Sequence, residues 1–172
     1  MRKTEIFDVV NRFDRVIGRL PRAVVHRRKL YHRSVHGLVI DPSHRVFLQH
    51  RAPHKDCDPG LWDSSVAGHL EAGETYDRAI VRECAEELGL RLSSTPTRLF
   101  KLQASEMTGF EFCWVYRIRD LGPLRIDRSE AVEGRWFEME ELNGWLVKKP
   151  ELLTGSIRLI WQEYLKMRNS DE

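Results

Sequence analysis

The sequence contains few of the features that mark secreted, membrane-bound or disulfide-stabilised proteins. It has three cysteines, Cys57, Cys84 and Cys113, and this odd number at long spacings matches neither a disulfide framework nor a CxxC zinc motif. No apolar run approaches the ~18 residues of a membrane span, and the N-terminus lacks the apolar core of a signal peptide. We therefore expect a cytoplasmic protein without a membrane partner.

An excess of charge of one sign is also missing. The chain has 28 Lys and Arg against 26 Asp and Glu, for a net charge of +2, so electrostatics give no reason to expect a nucleic-acid partner. We predict that it has none. The sequence carries no signal for the oligomeric state.

What is present is the length and composition of one globular domain. The 172 residues, 41% hydrophobic and 31% charged, are enough for a single core. Alternating residues predict two strands around a turn at 11–14, and further strands at 34–40, 45–51, 97–105, 110–120 and 135–139. Helices are predicted from Pro21 and at 76–88, 140–147 and 152–167. The chain is thus predicted to be one domain over residues 1–172, α/β or α+β with a mixed sheet.

The predicted helix at 76–88 has one apolar and one acidic arc. Thr75 is a favoured N-cap and Gly89 a favoured C-terminal residue. At 100° per residue, one arc faces the core and comprises Ile80, Val81, Cys84 and Leu88. The neighbouring arc carries three glutamates at i, i+3 and i+4, namely Glu83, Glu86 and Glu87.

These glutamates repel each other by roughly 0.2–0.5 kcal/mol per i,i+4 pair on an exposed helix. The ordinary interpretation is therefore a solvated acidic face. The alternative is a set of oxygen ligands for Mg²⁺, which commonly binds carboxylates together with substrate phosphates. Glycine-containing loops flank the helix and Arg82 lies among the acids, which favours the metal site.

Residues 68–90, GHLEAGETYDRAIVRECAEELGL, resemble the Nudix box. The matching positions are Gly68, Glu74, Arg82, Glu83, Glu86, Glu87 and Gly89. Cys84 stands where the box has an aliphatic residue. The chain is therefore similar to the Nudix hydrolase superfamily, which implies an α/β/α sandwich with a mixed sheet, a loop-helix-loop catalytic motif, and divalent-metal-dependent cleavage of a diphosphate linkage.

The resemblance also implies roles for the box residues. Glu83, Glu86 and Glu87 would bind Mg²⁺ or Mn²⁺, with the Gly68 carbonyl as a further ligand. The metal would polarise the diphosphate and help to deprotonate a water. Glu74 and Arg82 would pair and hold the loop-helix-loop together. Gly73 and Gly89 would give backbone flexibility at the two ends of the helix. The general base would be Glu83, or a glutamate outside the box in a loop before the strand at 135–139, either Glu130 or Glu133.

Beyond the box, the sequence resembles isopentenyl diphosphate isomerase and its Nudix relatives. The segments that carry this likeness are HRSVHGLVI, QHRAPHKD, PGLWDSSVAGH and FEFCWVY. The likeness implies that residues 1–31 are an N-terminal extension of the isomerase type and that Arg51 and Lys55 hold the diphosphate. It also implies a second metal site, formed by His26, His32, His69 and Glu111.

Two positions argue against isomerase activity. The isomerase has a catalytic cysteine where this chain has Ala67, and a second glutamate ligand where it has Gly109. We therefore expect hydrolysis of a nucleotide or other small diphosphate compound that the sequence does not name. An isomerase-like enzyme and a non-catalytic nucleotide sensor are the alternatives.

Aromatic residues allow stacking on a base, although core packing is the commoner role for the four in question, Trp62, Phe110, Phe112 and Trp114. The helical spacing of Ile157, Ile160, Trp161 and Tyr164 predicts core packing as well.

Overall fold

The computed structural model describes residues 5–119 and 122–170. Its elements follow the predicted order, with the addition of two short strands, at 62–63 and 66–69, that were not predicted. The strands are β1 (Ile6–Val10), β2 (Val16–Pro21), β3 (His32–Ile40), β4 (Val46–Arg51), β5 (Trp62–Asp63), β6 (Val66–His69), β7 (Thr97–Leu102), β8 (Glu111–Arg119) and β9 (Ala131–Phe137). The α-helices are α1 (Arg22–Arg27), α2 (Tyr76–Leu88), α3 (Met139–Lys148) and α4 (Gly155–Ser170), and a 3₁₀ turn spans Pro150–Leu152.

β3 is the middle strand of the larger of the two sheets. One of its edges pairs in parallel with β8, from His32 opposite Glu111 to Ile40 opposite Arg119. Its other edge pairs with β6 along its first half and with β4 at its C-terminal end, both antiparallel. β5 and β9 pair with β4, and β7 pairs with β8. The sheet is therefore mixed, as predicted.

Apolar side chains cover both faces of this sheet. On one face α2 packs through Ile80, Cys84 and Leu88 against a buried cluster. On the other face α3 and α4 pack through residues that include Leu142, Ile157 and Trp161. Helices on both faces of a mixed sheet make the predicted α/β/α sandwich. The core positions predicted on α4 are confirmed, since Ile157, Ile160, Trp161 and Tyr164 are all buried.

α2 has the predicted boundaries. The Thr75 hydroxyl accepts a hydrogen bond from the backbone N–H of Arg78, and Gly89 ends the helix in the left-handed conformation at φ 67°. The apolar arc faces the core as expected, with Val81 partly buried. Glu83 and Glu87 are also buried, so the interpretation of a solvated acidic face is wrong for two of the three glutamates.

The N-terminal segment packs on the sheet as a hairpin and a short helix. β1 and β2 form a separate two-stranded sheet, and Phe7 and Val25 are buried in a small cluster of their own. The carbonyl of Ile6 accepts a hydrogen bond from Ala72 in the loop before α2, at 2.8 Å. The segment therefore contacts the loop that leads into the glutamate-bearing helix.

Several predicted boundaries are wrong, among them the start of β3, at His32 rather than at 34, and the end of α4, at Ser170 rather than at 167. β9 begins at Ala131 rather than at 135, because the chain pairs with β4 from there onward. Glu133 therefore lies within a strand, opposite His50, and not in a loop. α4 begins at Gly155 rather than at 152, because Thr154 accepts the first hydrogen bonds of the helix. β7 ends at Leu102 and not at 105, and residue 120, the predicted end of β8, lies outside the described residues. None of the helices in the described ranges is long and apolar enough to cross a membrane.

Candidate active site

A cavity of about 1260 Å³ opens where β4 and β6 diverge along β3. Three groups of predicted site residues line it: Glu83, Glu86, Glu87 and Gly68 of the box, His26, His69 and Glu111 of the histidine cluster, and Arg51, Lys55 and Glu130. The fold thus brings all three groups to one place, although they come from distant parts of the chain.

Arg82 holds the glutamate-bearing end of the cavity together. Its Nε and Nη2 donate to the two carboxylate oxygens of Glu74 at 3.0 and 2.9 Å. Its Nη1 donates to Glu83 at 2.7 Å and to Glu86 at 3.1 Å. Nη2 also donates to the carbonyl of His69 at 3.0 Å. The pair of Glu74 and Arg82 is therefore present, and one guanidinium fixes the loop, the helix and β6 together.

The buried carboxylates have raised pKa values. Burial raises the pKa of Glu83 to about 7, against the opposing effect of Arg82. Burial, followed by repulsion from Glu83, raises the pKa of Glu87 well above its ordinary value. Glu87 accepts hydrogen bonds from Gln49 Nε2 at 3.0 Å and from the Ala67 N–H at 3.2 Å. Because buried carboxylates require a compensating positive charge when they ionise, this cluster fits a divalent cation.

Gly68 and Glu83 are in direct contact, which explains the glycine. A Cβ atom built on Gly68 would overlap the Glu83 carboxylate and would lie 2.6 Å from its Cγ. The contact needs a residue without a side chain, whatever the backbone conformation. It keeps the Glu83 carboxylate against the backbone of β6.

The basic residues predicted to hold phosphate are already engaged. The Arg51 guanidinium donates to the Cys57 carbonyl at 2.9 and 3.2 Å, and its Nη1 lies 3.5 Å from an Asp63 oxygen. Lys55 forms an ion pair with Glu130. Glu133, by contrast, lies 3.3 Å from His50 and is not among the residues that line the cavity.

The histidine cluster is compact. One ligand atom from each of His26, His32, His69 and Glu111 lies within 4.8 Å of the others. The three imidazole centroids are 4.9 to 5.2 Å apart, and Phe7 of β1 stacks on two of the rings. The N-terminal segment therefore supplies both a member of the cluster and part of its wall.

The protonation of the cluster suits metal binding. His32 Nδ1 lies 2.8 Å from the Leu30 carbonyl, which can only accept, so Nδ1 carries the proton and Nε2 is a lone pair. That lone pair lies 3.4 Å from a Glu111 oxygen. Burial lowers the pKa of His26 to about 4. Against the opposing effect of burial, His69 holds the pKa of Glu111 well below its ordinary value. Imidazole nitrogens grouped beside a carboxylate are the ligand types that fit a transition-metal cation.

Several residues that shape the site were not predicted from the sequence. Gln49 lies two residues before Arg51 on β4, and its amide holds Glu87 and the Ser65 carbonyl. The alternation of a strand places Gln49 and Arg51 on the same face, which is the only pattern that could have indicated it. Cys57 and Asp56 were also missed. Of the four aromatic residues considered for stacking, Phe110 lines the cavity, whereas Trp62 and Phe112 are buried.

Comparison with known proteins is consistent with this geometry. The family model described as the NUDIX domain matches residues 30–155. The chain is 33% identical over 172 residues to an uncharacterized Nudix hydrolase of Nostoc sp., covering 95% of this chain and 98% of that protein. It is 31% identical over 144 residues to an isopentenyl-diphosphate Delta-isomerase of Mycolicibacterium vanbaalenii, covering 77% and 80%. A crystal structure from Deinococcus radiodurans superposes with a TM-score of 0.82 at 26% identity, covering 92% and 98%.

Proposed function

The chain belongs to the NUDIX domain family and is a Nudix hydrolase, and from this premise we propose that it cleaves a diphosphate linkage in a nucleotide or a related small molecule, with Mg²⁺ or Mn²⁺ held by Glu83, Glu86 and Glu87. The observation that supports the proposal most strongly is the burial of Glu83 and Glu87 beside a cavity. Such carboxylates need a cation, and Arg51 and Lys55 line the same cavity.

Each residue would have a defined part in the reaction. The bound metal would polarise the phosphoryl oxygens and lower the pKa of a water. Arg82 would orient the Glu83 and Glu86 carboxylates, and Gln49 would orient Glu87. Arg51 would bind a phosphate through its planar fork and Lys55 through its point charge. The Gly68 carbonyl, next to Glu83, would be a further metal ligand.

Glu130 is the general base that we favour. It lines the cavity and is paired with Lys55. A substrate phosphate would compete with Glu130 for Lys55, and the released carboxylate would then be free to accept a proton from the attacking water. Glu83 is the alternative base, although its contacts with Arg82 and Gly68 already constrain it. Glu133 is paired with His50 and lies away from the cavity lining.

The experiment is phosphate release from a panel of sugar nucleotides, dinucleoside polyphosphates, coenzyme A, nucleoside triphosphates and prenyl diphosphates, with Mg²⁺ or Mn²⁺. The variant is Glu86→Gln, because 58% of this side chain is exposed and we expect the change to leave the fold intact. The matched control is Glu140→Gln, another exposed glutamate. We expect metal-dependent cleavage of at least one compound, lost in Glu86→Gln and kept in the control. Tight binding without cleavage would instead indicate a nucleotide sensor.

The histidine cluster favours a second candidate, an isomerase-like enzyme acting on a prenyl diphosphate with Mn²⁺ or a similar metal at His26, His32, His69 and Glu111. Ala67 lies between His36 of β3 and the buried Glu87, and its methyl group can neither donate nor accept a proton. We therefore expect no isomerisation by the wild type. An isomerisation assay of the wild type and of Ala67→Cys decides between the two enzymes. A cytoplasmic location remains a prediction from the sequence.

A further inference from the structure

Cys57 contacts the histidine cluster from outside. Its sulfur lies 3.9 Å from Nδ1 of His26, within the reach of a hydrogen bond to sulfur. Cys57 is exposed, and it lies in the loop between β4 and β5 that also carries Lys55. The contact therefore joins this loop to α1.

A neighbouring ion pair fixes the contact. Arg22 precedes His26 by one helical turn on α1, and its two Nη atoms donate to the two oxygens of Asp56 at 2.5 and 2.9 Å. Because residues four apart share a helix face, Arg22 and His26 meet the adjacent residues Asp56 and Cys57 side by side. The ion pair thus places the Cys57 sulfur against the imidazole.

His26, Asp56 and Cys57 have ligand atoms within 4.8 Å of one another, but they are poorly suited to hold a metal of their own. Both Asp56 oxygens are occupied by Arg22, and a cation would have to displace that guanidinium. The contact of Cys57 with His26 needs another explanation.

The histidine cluster provides this explanation, because two of its ring nitrogens are placed to bind a ligand. His32 is 1% exposed, and its Nε2 is buried without a hydrogen-bond partner among the described residues. The Nε2 of His26 is buried and unpartnered in the same way. In His32 the Leu30 carbonyl fixes the proton on Nδ1. Cys57 occupies the corresponding position beside Nδ1 of His26.

We propose that Cys57 is a positioning residue for the histidine cluster: its sulfur accepts the Nδ1 proton of His26 and so leaves the Nε2 lone pair free to bind a metal. The opposite arrangement, with S–H donating to Nδ1, would put the proton on the buried Nε2 and block it. The metal-binding part of this inference rests on the second metal site proposed above, whereas the tautomer of His26 does not.

The first measurement is the long-range ¹⁵N–¹H spectrum of the imidazoles in the metal-free full-length protein, for the wild type, Cys57→Ser and Cys57→Ala. We expect His26 to carry its proton on Nδ1 in the wild type and in Cys57→Ser, which keeps an acceptor. Cys57→Ala should shift His26 toward a mixture of tautomers. A proton on Nε2 in the wild type, or no change in Cys57→Ala, would overturn the proposal.

The second measurement is Zn²⁺ affinity, by competition with a chromophoric chelator. Loss of a contact that orients a metal-binding histidine typically weakens binding by ~10–100-fold, and we expect that loss for Cys57→Ala and a smaller one for Cys57→Ser. In the Co²⁺-loaded protein, a thiolate-to-cobalt charge-transfer band that disappears in Cys57→Ala would show that Cys57 is itself a ligand and would refute a positioning role. If the wild type binds no Zn²⁺, the metal site fails, while the tautomer measurement still decides the role of Cys57.

Discussion

The carboxylate site on α2 and the histidine cluster line one cavity but are assembled in opposite ways. The carboxylate site comes from one continuous segment, residues 68–89, and its geometry follows from the period of a single helix. The histidine cluster draws on α1, β3, β6 and β8, and it exists only once the sheet and the N-terminal segment have come together. A site built from local sequence can be recognised by spacing alone, whereas a site built from long-range pairing cannot.

The two sites also respond differently to burial. Burial raises the pKa of Glu83 and Glu87, which favours their neutral form. Burial lowers the pKa of His26, which favours its neutral form too. A neutral imidazole is ready to bind a metal, whereas a neutral carboxyl group must first lose a proton. The difference predicts that metal binding at the carboxylate site depends more strongly on pH in the neutral range.

The largest expected effect comes from Gly68→Ala. The added methyl group would overlap the Glu83 carboxylate and displace it from the metal-binding position. We expect metal-dependent hydrolysis to fall by about 100-fold, which corresponds to ~2.7 kcal/mol in the activation free energy. The measurement is kcat/KM with the substrate identified from the panel.

The control for this variant is Gly144→Ala. A Cβ atom at Gly144 would meet no heavy atom within 4 Å, and the residue lies inside α3. Equal loss of activity in both variants would show that the effect of Gly68→Ala is not caused by the contact with Glu83.

The second largest effect is expected from replacing Arg82, whose guanidinium joins the two sites. In Arg82→Lys, a single ammonium group would replace the fork that contacts Glu74, Glu83, Glu86 and the His69 carbonyl. We expect the free energy of unfolding to fall by roughly 2 kcal/mol, because hydrogen bonds to charged groups are worth about 1.5–3 kcal/mol each and lysine retains some of them. Urea denaturation measures the change. Arg91→Lys, at an exposed position, should leave stability unchanged, and a comparable loss there would contradict the explanation.

A third prediction compares how the two sites make the stability of the fold depend on pH. The pKa of Glu83 rises from 4.5 to about 7 on folding, so its contribution to stability is lost as the pH rises across that range. The pKa of His26 falls from 6.5 to about 4, so its contribution is lost as the pH falls across that range. The two slopes oppose each other between 4.5 and 6.5, and above 6.5 the glutamates dominate.

The metal-free protein should therefore lose stability above pH 6.5. Glu83, with a pKa of about 7, accounts for roughly 0.7 kcal/mol of the loss between pH 6.5 and 8, since each pKa unit is worth ~1.4 kcal/mol. Glu87, whose pKa is also raised, adds to this loss. Denaturation at a series of pH values measures the change. Mg²⁺ should abolish the decline, and Glu87→Gln should reduce it. A stability that is constant or rises above pH 6.5 would show that the glutamates are not held in a buried, mainly protonated state.

The smallest effect is expected for Gly144→Ala itself. Replacing a helical glycine by alanine removes backbone freedom from the unfolded chain and should stabilise the protein by up to about 1 kcal/mol. Thermal unfolding measures the gain. Destabilisation would indicate a contact of α3 that the structure does not contain.

Most of the fold could be predicted from the sequence because its elements follow local rules. α2 begins and ends where Thr75 and Gly89 predict, since a capping side chain and a left-handed glycine act within one helical turn. β9 was predicted too short because its first residues, such as Glu133, are strand residues only through pairing with β4. Propensity could not indicate that pairing.

The candidate site shows the same difference between features with a local sequence signal and features that depend on long-range contacts. The Glu74–Arg82 pair was predictable from the box, and its geometry is present in the structure. The burial of Glu87 by Gln49, and the contact of Cys57 with His26, were not predictable. They depend on how separate elements meet in three dimensions, and neither residue belongs to a spaced motif.

The parallel pairing of β3 with β8 has a consequence for how the chain assembles. His32 lies opposite Glu111 in the first pair of that ladder. A slip of one residue would turn every β8 side chain to the other face and would place Phe112 where the imidazoles now meet a carboxylate. Pairings between distant segments form slowly, and wrong registers compete with the right one. Three rings and one carboxylate meet in the observed register alone. The histidine cluster therefore favours this alignment of β3 and β8 over a slipped one.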